Sequence, residues 1–305
     1  MFRFARLAAL SLTLCSSEGF AQVKLELKFP PGSTQAYESD NKVQQTLTLA
    51  GMDIETKANT FVMISKSIGQ RGDDGLLPVE EKVTVLQSEI GLPGGTSLQF
   101  DSANLDKKAD NPLLEPLLER FRVTFKYPAT SILDAQNNLK EIKFPAGVAE
   151  SVNEANKSLF DPVRRKKAAD EARGFLPDGP VKKGDTWERS SEADFGSGQI
   201  MAFRTNYTYD GTIEQDGQTF DKISAKVFEA SFSIDQTNTM VKVSKSDLKV
   251  AESEVTILFD REHGAVQQRR SKLRIQGPMT LVINGTELDG KVDLTMEEKT
   301  NRQKQ

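Results

Sequence analysis

One histidine and one cysteine among 305 residues set narrow limits on the chemistry this chain can do. His263 sits in the polar turn Asp260-Arg-Glu-His-Gly264. A Ser-His-acid hydrolase needs a positioned serine and an orienting acid, and no Gly-x-Ser-x-Gly elbow is present. An exposed turn histidine is therefore the expected role. Cys15 lies in the leader described below, so zinc and iron centres, which need several Cys or His ligands, are not expected. Gly72-Asp-Asp-Gly75 and the run Asp101, Asp106, Asp110 are acidic, but neither has the ligand spacing of an EF-hand loop. No phosphate loop or dinucleotide fingerprint occurs. With 44 acidic residues, a chance carboxylate pair carries no assignment. The expectation is a non-enzymatic protein with no cofactor and no metal site. The residues that could meet a ligand are aromatic: Trp187, Phe203, Tyr207, Tyr209 and Phe232. For Trp187 the favoured reading is a core anchor at the head of a strand, with an aromatic wall for a ligand as the other.

These side chains need strands to position them, and the pattern supplies them. Val23, Leu25, Leu27 and Phe29 alternate with polar residues, the period of a half-buried strand. A run from Tyr37 through Val43, Leu47 and Leu49 turns near Gly51 and returns from Ile54 to Ile68. Gly72–Gly75 turns the chain again into Val79–Ile90. Residues 91–110 read as loop. Asn111-Pro112 opens a short helix, with Pro116 limiting it. Phe121, Val123, Phe125 and Tyr127 then alternate as a strand, and Asp134–Asn138 makes a hairpin. Residues 147–173 read as helical, with Asp161-Pro162 capping a segment that carries Arg164-Arg-Lys-Lys167 and ends at Gly174. That basic run reads as a solvated face, with a lipid or polymer patch as the other reading. Beyond Trp187 the alternation is strongest: Met201, Phe203, Thr205, Tyr207 and Tyr209 share one parity. A phase slip near Phe228 predicts a bulge. Asp216-Gly217 and Asn284-Gly285 predict tight hairpins.

The result is a mainly β fold of two related antiparallel lobes, forming a curved sheet, half-barrel or sandwich, with a helical linker at about 147–173. The predicted division is a signal peptide at 1–21, a first β lobe at 22–146, the linker at 147–174, a second lobe at 175–299 and a disordered tail at 300–305. The leader has a basic start (Arg3, Arg6), the short apolar stretch Leu7–Cys15, and small residues at Gly19 and Ala21. Cleavage after Ala21 implies export to the periplasm or exterior, and Cys15 offers an alternative lipid anchor. No further stretch is long and apolar enough for a spanning helix. A net charge of −4 disfavours nucleic acid.

Two stretches carry a resemblance. Phe175-Leu-Pro-Asp-Gly-Pro-Val-Lys-Lys-Gly-Asp-Thr-Trp-Glu188 and the opening Leu27–Tyr37 resemble an uncharacterised family of exported bacterial proteins, a domain of unknown function with a central Leu-Pro…Pro-Val…Gly-Asp-x-Trp signature. The resemblance implies fold-setting turns and no catalytic residue. At the level of fold alone, the expected architecture is similar to that of the periplasmic lipoprotein carriers, whose curved sheet wraps a helical plug. The favoured function is an exported envelope protein that binds a lipid or other apolar or amphiphilic ligand within a curved sheet. The alternatives are a structural or interaction module with a sealed core, partnered by another envelope protein, and a hydrolase.

Overall fold

The computed structural model describes residues 22–196, 199–234 and 241–303. The leader and Cys15 lie outside the described residues. The chain first lays down β1 (Thr34–Leu49), β2 (Met52–Ile68), β3 (Leu77–Gly91), β4 (Ser97–Asp101), β5 (Ala129–Leu133) and β6 (Leu139–Lys143), with helix α1 (Glu115–Lys126) between β4 and β5. A crossover follows, with α2 (Val148–Ser151), a 3-10 turn and α3 (Pro162–Ala172). The second group is β7 (Thr186–Gly196), β8 (Gln199–Gln215), β9 (Gln218–Ile234), β10 (Val241–Ser246), β11 (Lys249–Asp260), β12 (Ala265–Ile283) and β13 (Thr286–Arg302).

All of these strands join one antiparallel sheet, ordered β6-β5-β3-β2-β1-β13-β12-β11-β9-β8-β7, with β10 beside β12 and β4 beside β3. The first and last strands of the chain thus meet at its centre, from Tyr37 opposite Arg302 to Leu49 opposite Gly290. The two predicted lobes are the two strand groups on either side of this seam. α3 packs on both β6 and β7, the two edges of the sheet. The sheet therefore curves until its edges flank one helix. Asp161 caps α3 by accepting from the backbone N–H groups of Val163 and Arg164.

Tight turns hold the long hairpins. Ala50-Gly51, Asp216-Gly217 and Asn284-Gly285 all take positive φ, the geometry whose twist suits two-residue hairpins. The predicted bulge is present: Arg204 pairs with Glu229 and Thr205 with Val227, leaving Phe228 as the extra residue. Phe228 turns outward, where the Arg204 guanidinium lies over its ring at 4.9 Å.

Four expectations need correction. Phe121, Val123 and Phe125 are helical, because α1 runs from Glu115 to Lys126. Pro116 falls in the first turn, where its missing N–H costs nothing. Leu117, Leu118, Phe121 and Phe125 then share a face packed on Leu86, Leu98 and Phe100. Residues 97–101 are the strand β4, not loop. Val23–Phe29 keeps its alternation, with Leu25 buried, but joins no ladder. It is held by the paired bonds of Val23 with Val181, both 2.8 Å, and by Lys28 N–H to the Gly264 carbonyl. The predicted tail is ordered through Arg302 as the end of β13, because it pairs with β1 and β12.

The inner core centres on Phe259, Ile223 and Ile257, with Phe175 and Leu25 packed on it from the crossover and the N-terminal segment. Phe259 is fully buried and lies 6.2 Å from Phe175, ring to ring. Phe259→Ala should cost about 3–5 kcal/mol in urea unfolding, the usual range for a buried Phe truncation. A cost below ~1 kcal/mol would show that this end of the inner face is not a packed core.

Candidate functional site

The inner face of the sheet carries alternate residues of every strand, and their character changes along the strands. Toward one end they are apolar: Leu273, Ile275, Leu281, Val292 and Leu294, joined by Val43, Leu47, Phe203 and Phe232. Nearer the crossover they become polar and charged. Ser39 and Thr300 hydroxyls bond across the central seam at 2.8 Å. Lys66 on β2 and Glu81 on β3 form an ion pair at 3.0 Å. Lys66 also sits 5.6 Å from the centre of the Tyr37 ring.

α3 lies over this region without filling it. It presents Ala168, Ala169 and Ala172, short side chains that leave room beneath the helix. The outcome is a cavity of about 610 Å³ between α3 and the sheet. Its apolar wall includes Phe29, Val79, Leu133, Ile142, Phe175 and Ile257. Its polar lining includes Tyr37, Lys66, Glu81, Arg165, Arg173, Arg269 and Glu298. Arg165 is exposed and so stands at the mouth. Arg173 donates to the Asn137 carbonyl at 3.1 Å and stacks 5.8 Å from the Phe29 ring.

The electrostatics follow from burial and partners. Burial raises the Glu81 pKa, but the Lys66 charge and hydrogen bond, helped by Arg165, outweigh it and hold the carboxyl below its ordinary value. Burial likewise pulls Lys66 down, and Glu81 more than reverses that, leaving the ammonium above its ordinary value. Burial raises the Tyr37 hydroxyl, against the opposing pull of Lys66 and Arg302.

The five aromatic residues expected to line a ligand site are divided between two packed clusters. Tyr209 is buried, and Trp187 and Tyr207 pack against the same cluster. Trp187 stacks on Tyr207 at 5.7 Å and donates to the Gly174 carbonyl at 3.3 Å. Phe203 and Phe232 pack on the Leu273–Leu294 cluster at the other end. None of the five borders the cavity under α3. Tyr209 donates to Asp221 at 2.6 Å, and Arg261 pairs with the same carboxylate. Burial, and then Asp221, push the Tyr209 hydroxyl far above its ordinary pKa.

His263 is more than half exposed, with Nδ1 2.6 Å from Asp260 Oδ2. Among the described residues no hydroxyl hydrogen-bonds it. Its turn holds the N-terminal segment instead: Lys28 Nζ donates to the carbonyls of Arg261 and Glu262, both at 3.0 Å. Gly264 has positive φ, and a Cβ there would come within 2.6 Å of the Lys28 backbone nitrogen. Among the described residues, no three His, Cys, Asp or Glu side chains cluster to hold a metal.

The cavity residues had a signal in the sequence that aromatic content does not capture. Lys66 shares parity with Ile64 and Ile68, Glu298 with Leu294 and Met296, and Arg269 with Leu273 and Ile275. A charge placed on the apolar parity of a strand marks an inward polar site. The basic run on α3 is likewise split: Arg165 faces the cavity, Lys166 pairs with Asp170 at 2.6 Å, and Lys167 pairs with Glu192 on β7.

No family profile and no curated protein matches the chain. Similar solved structures are distant. A structure of lipid–protein interactions in lipovitellin aligns over 91% of this chain at 13% identity, with a TM-score of 0.42. This chain spans about a quarter of that one, 26%. An outer-membrane channel from Pseudomonas putida F1 aligns over 92% of this chain and 98% of its own at 8% identity, with a TM-score of 0.25. Pseudomonas aeruginosa OccK5 aligns over 90% and 99% at 9% identity, also at 0.25. Likenesses this low do not bear on what the chain does. Among the described residues no helix is long and apolar enough to cross a membrane.

The Lys66–Glu81 pair should shape stability against pH. Glu81's depressed pKa gives a contribution that is full above its unfolded value and lost as pH falls through the folded one. Lys66's raised pKa gives one that is full below its unfolded value and lost as pH rises through the folded one. The melting-temperature gap between wild type and Glu81→Gln should therefore be flat from roughly pH 5 to 10 and close on the acid side. A gap that persists unchanged in acid would mean the pair is not ionised as described.

Proposed function

We propose that this chain is a non-enzymatic exported protein that holds an amphiphilic ligand inside its curved sheet. One observation carries the reading: the cavity of about 610 Å³ under α3, apolar on one wall and polar on the other. Its volume falls within the range of small-molecule sites, roughly 300–1,000 Å³. A sealed structural module has no use for three small side chains on the one helix that lies over the cavity. An amphiphile suits the lining, because its tail meets Phe29, Leu133 and Ile142 while its head meets the charged belt. Export rests on the basic and apolar leader at 1–21. The resemblance of Leu27–Tyr37 and Phe175–Glu188 to an exported bacterial family points to the same compartment, the bacterial envelope.

The structural part of that signature is consistent with a fold-setting role. Phe175 and Val181 are buried, Asp185 caps its own turn by accepting from Lys182 N–H at 3.0 Å, and Gly174 receives the Trp187 indole.

Native mass spectrometry of protein purified from its own cell envelope should show a co-purified amphiphile. Ala172→Trp should abolish that adduct while leaving the melting temperature near wild type, because Ala172 is exposed yet lines the cavity. An adduct retained at wild-type level in the Trp variant would place the ligand elsewhere, and no adduct in either protein would remove the reading.

A further inference from the structure

We infer that the amphiphile has an anionic headgroup, carboxylate or phosphate, held by Arg165, Arg173 and Arg269; this rests on the reading above and specifies its ligand. The argument is one of unbalanced charge. The lining contains five cationic side chains, Lys28, Lys66, Arg165, Arg173 and Arg269, against two carboxylates, Glu81 and Glu298. Lys28 is committed to the carbonyls of Arg261 and Glu262. Lys66 and Glu81 neutralise each other. Arg269 faces Glu298 with Nε 3.5 Å from the nearer oxygen, too far for a good hydrogen bond, and that buried Nε has no hydrogen-bond partner among the described residues.

Among the described residues the Arg173 and Arg165 side chains are left without an ion-pair contact; they feel Asp170 and Glu81 only at longer range. Among the described residues Arg173 has no carboxylate within ion-pair distance, and its hydrogen bond goes to a neutral carbonyl. The Arg165 guanidinium makes no hydrogen bond or ion pair among the described residues, and only its backbone N–H is used, donating to the Asp161 carbonyl. Burial pulls the Arg173 pKa below its ordinary value despite the help of Asp170, as expected for a cation that lacks a partner. Desolvated charges are retained where something pairs them. The guanidinium fork fits carboxylate and phosphate oxygens two at a time, which an ammonium cannot do. Arg173 already lies over Phe29, so its free edge sits where the apolar wall begins. A headgroup there would leave its tail against Phe29, Leu133 and Ile142.

Isothermal titration calorimetry with decanoate, decyl phosphate, decan-1-ol and inorganic phosphate tests this on the mature chain. Wild type should bind both anionic amphiphiles at least about tenfold more tightly than the alcohol, the effect of a charge-assisted hydrogen bond. Arg173→Gln and Arg165→Gln should each reduce that preference and leave alcohol affinity unchanged, and Arg173→Lys should restore it in part. Arg173 also bonds the Asn137 carbonyl, so its variants are read only if their near-UV circular dichroism is native; Arg165→Gln, at the exposed mouth, decides otherwise. Equal affinity for acid and alcohol in wild type, or a full preference surviving in both Gln variants, would overturn the headgroup assignment and leave the proposed function standing. Inorganic phosphate binding as tightly as decyl phosphate would assign the site to a free anion and overturn it too. No binding of any amphiphile would overturn both.

Discussion

Pairing the first long strand of a chain with its last one constrains everything between them. β1 and β13 meet at the middle of the sheet, so the chain must leave toward one edge and return from the other. The segment that makes that journey, residues 144–185, has to cross from β6 to β7. An open sheet of this many strands would leave two distant edges exposed to foreign strands, and strongly twisted sheets of this width tend to curl. Curling brings β6 and β7 to opposite sides of α3 and lets one helix cover the gap. The ion pair of Lys167 with Glu192 and the bond from Glu192 N–H to Glu171 fasten the helix to β7. On the other side Ala169 rests on the Leu133–Ile142 cluster. The cavity follows from this closure: a helix bridging two edges stands off the floor of the sheet unless large side chains fill the space, and here alanines face it.

The period of two was enough to read most of this from the chain. It located the long strands of both groups, and it identified the extra residue at Phe228 because β8 and β9 keep opposite faces in register on either side of it. The helix opening near Asn111-Pro112 is legible, but the second half of α1 reads as strand, because Phe121, Val123, Phe125 and Tyr127 satisfy a strand period while Leu117, Leu118, Phe121 and Phe125 satisfy a helical one. Only the contact of α1 with β3 and β4 settles the choice, and that contact joins residues far apart in sequence. β4 was overlooked for a related reason: five residues, Ser97–Asp101, carry too little alternation to stand out beside Pro93-Gly94-Gly95.

The site was less legible than the fold. Large aromatics were the natural lining candidates, but large aromatics also give the most burial per residue, and here Trp187, Tyr207 and Tyr209 are used for packing. The cavity is instead marked by charges on inward parity, Lys66, Glu81, Arg269 and Glu298, and by the absence of bulk on one face of α3. The first mark was present in the sequence. The second acquires meaning only once α3 is known to lie across the sheet, because alanine in a helix is otherwise just a good helix former.

The N-terminal segment ties the fold to the site. Residues 22–30 do not belong to the sheet, yet Leu27, Lys28 and Phe29 form part of the cavity wall and Leu25 enters the core beside Phe175. This segment is held at Val181 by two backbone bonds and at the 260–264 turn by Lys28. Both anchors belong to the crossover signature or to the turn that carries the single histidine. The crossover signature and the His263 turn therefore both serve geometry: they fix one wall of a cavity whose opposite wall is the first strand group. Phe175 makes the coupling direct, since the same ring packs on Phe259 and lines the cavity. A ligand pressing on that wall would press on the core that holds the two ends of the crossover together, so occupancy and stability share one set of contacts.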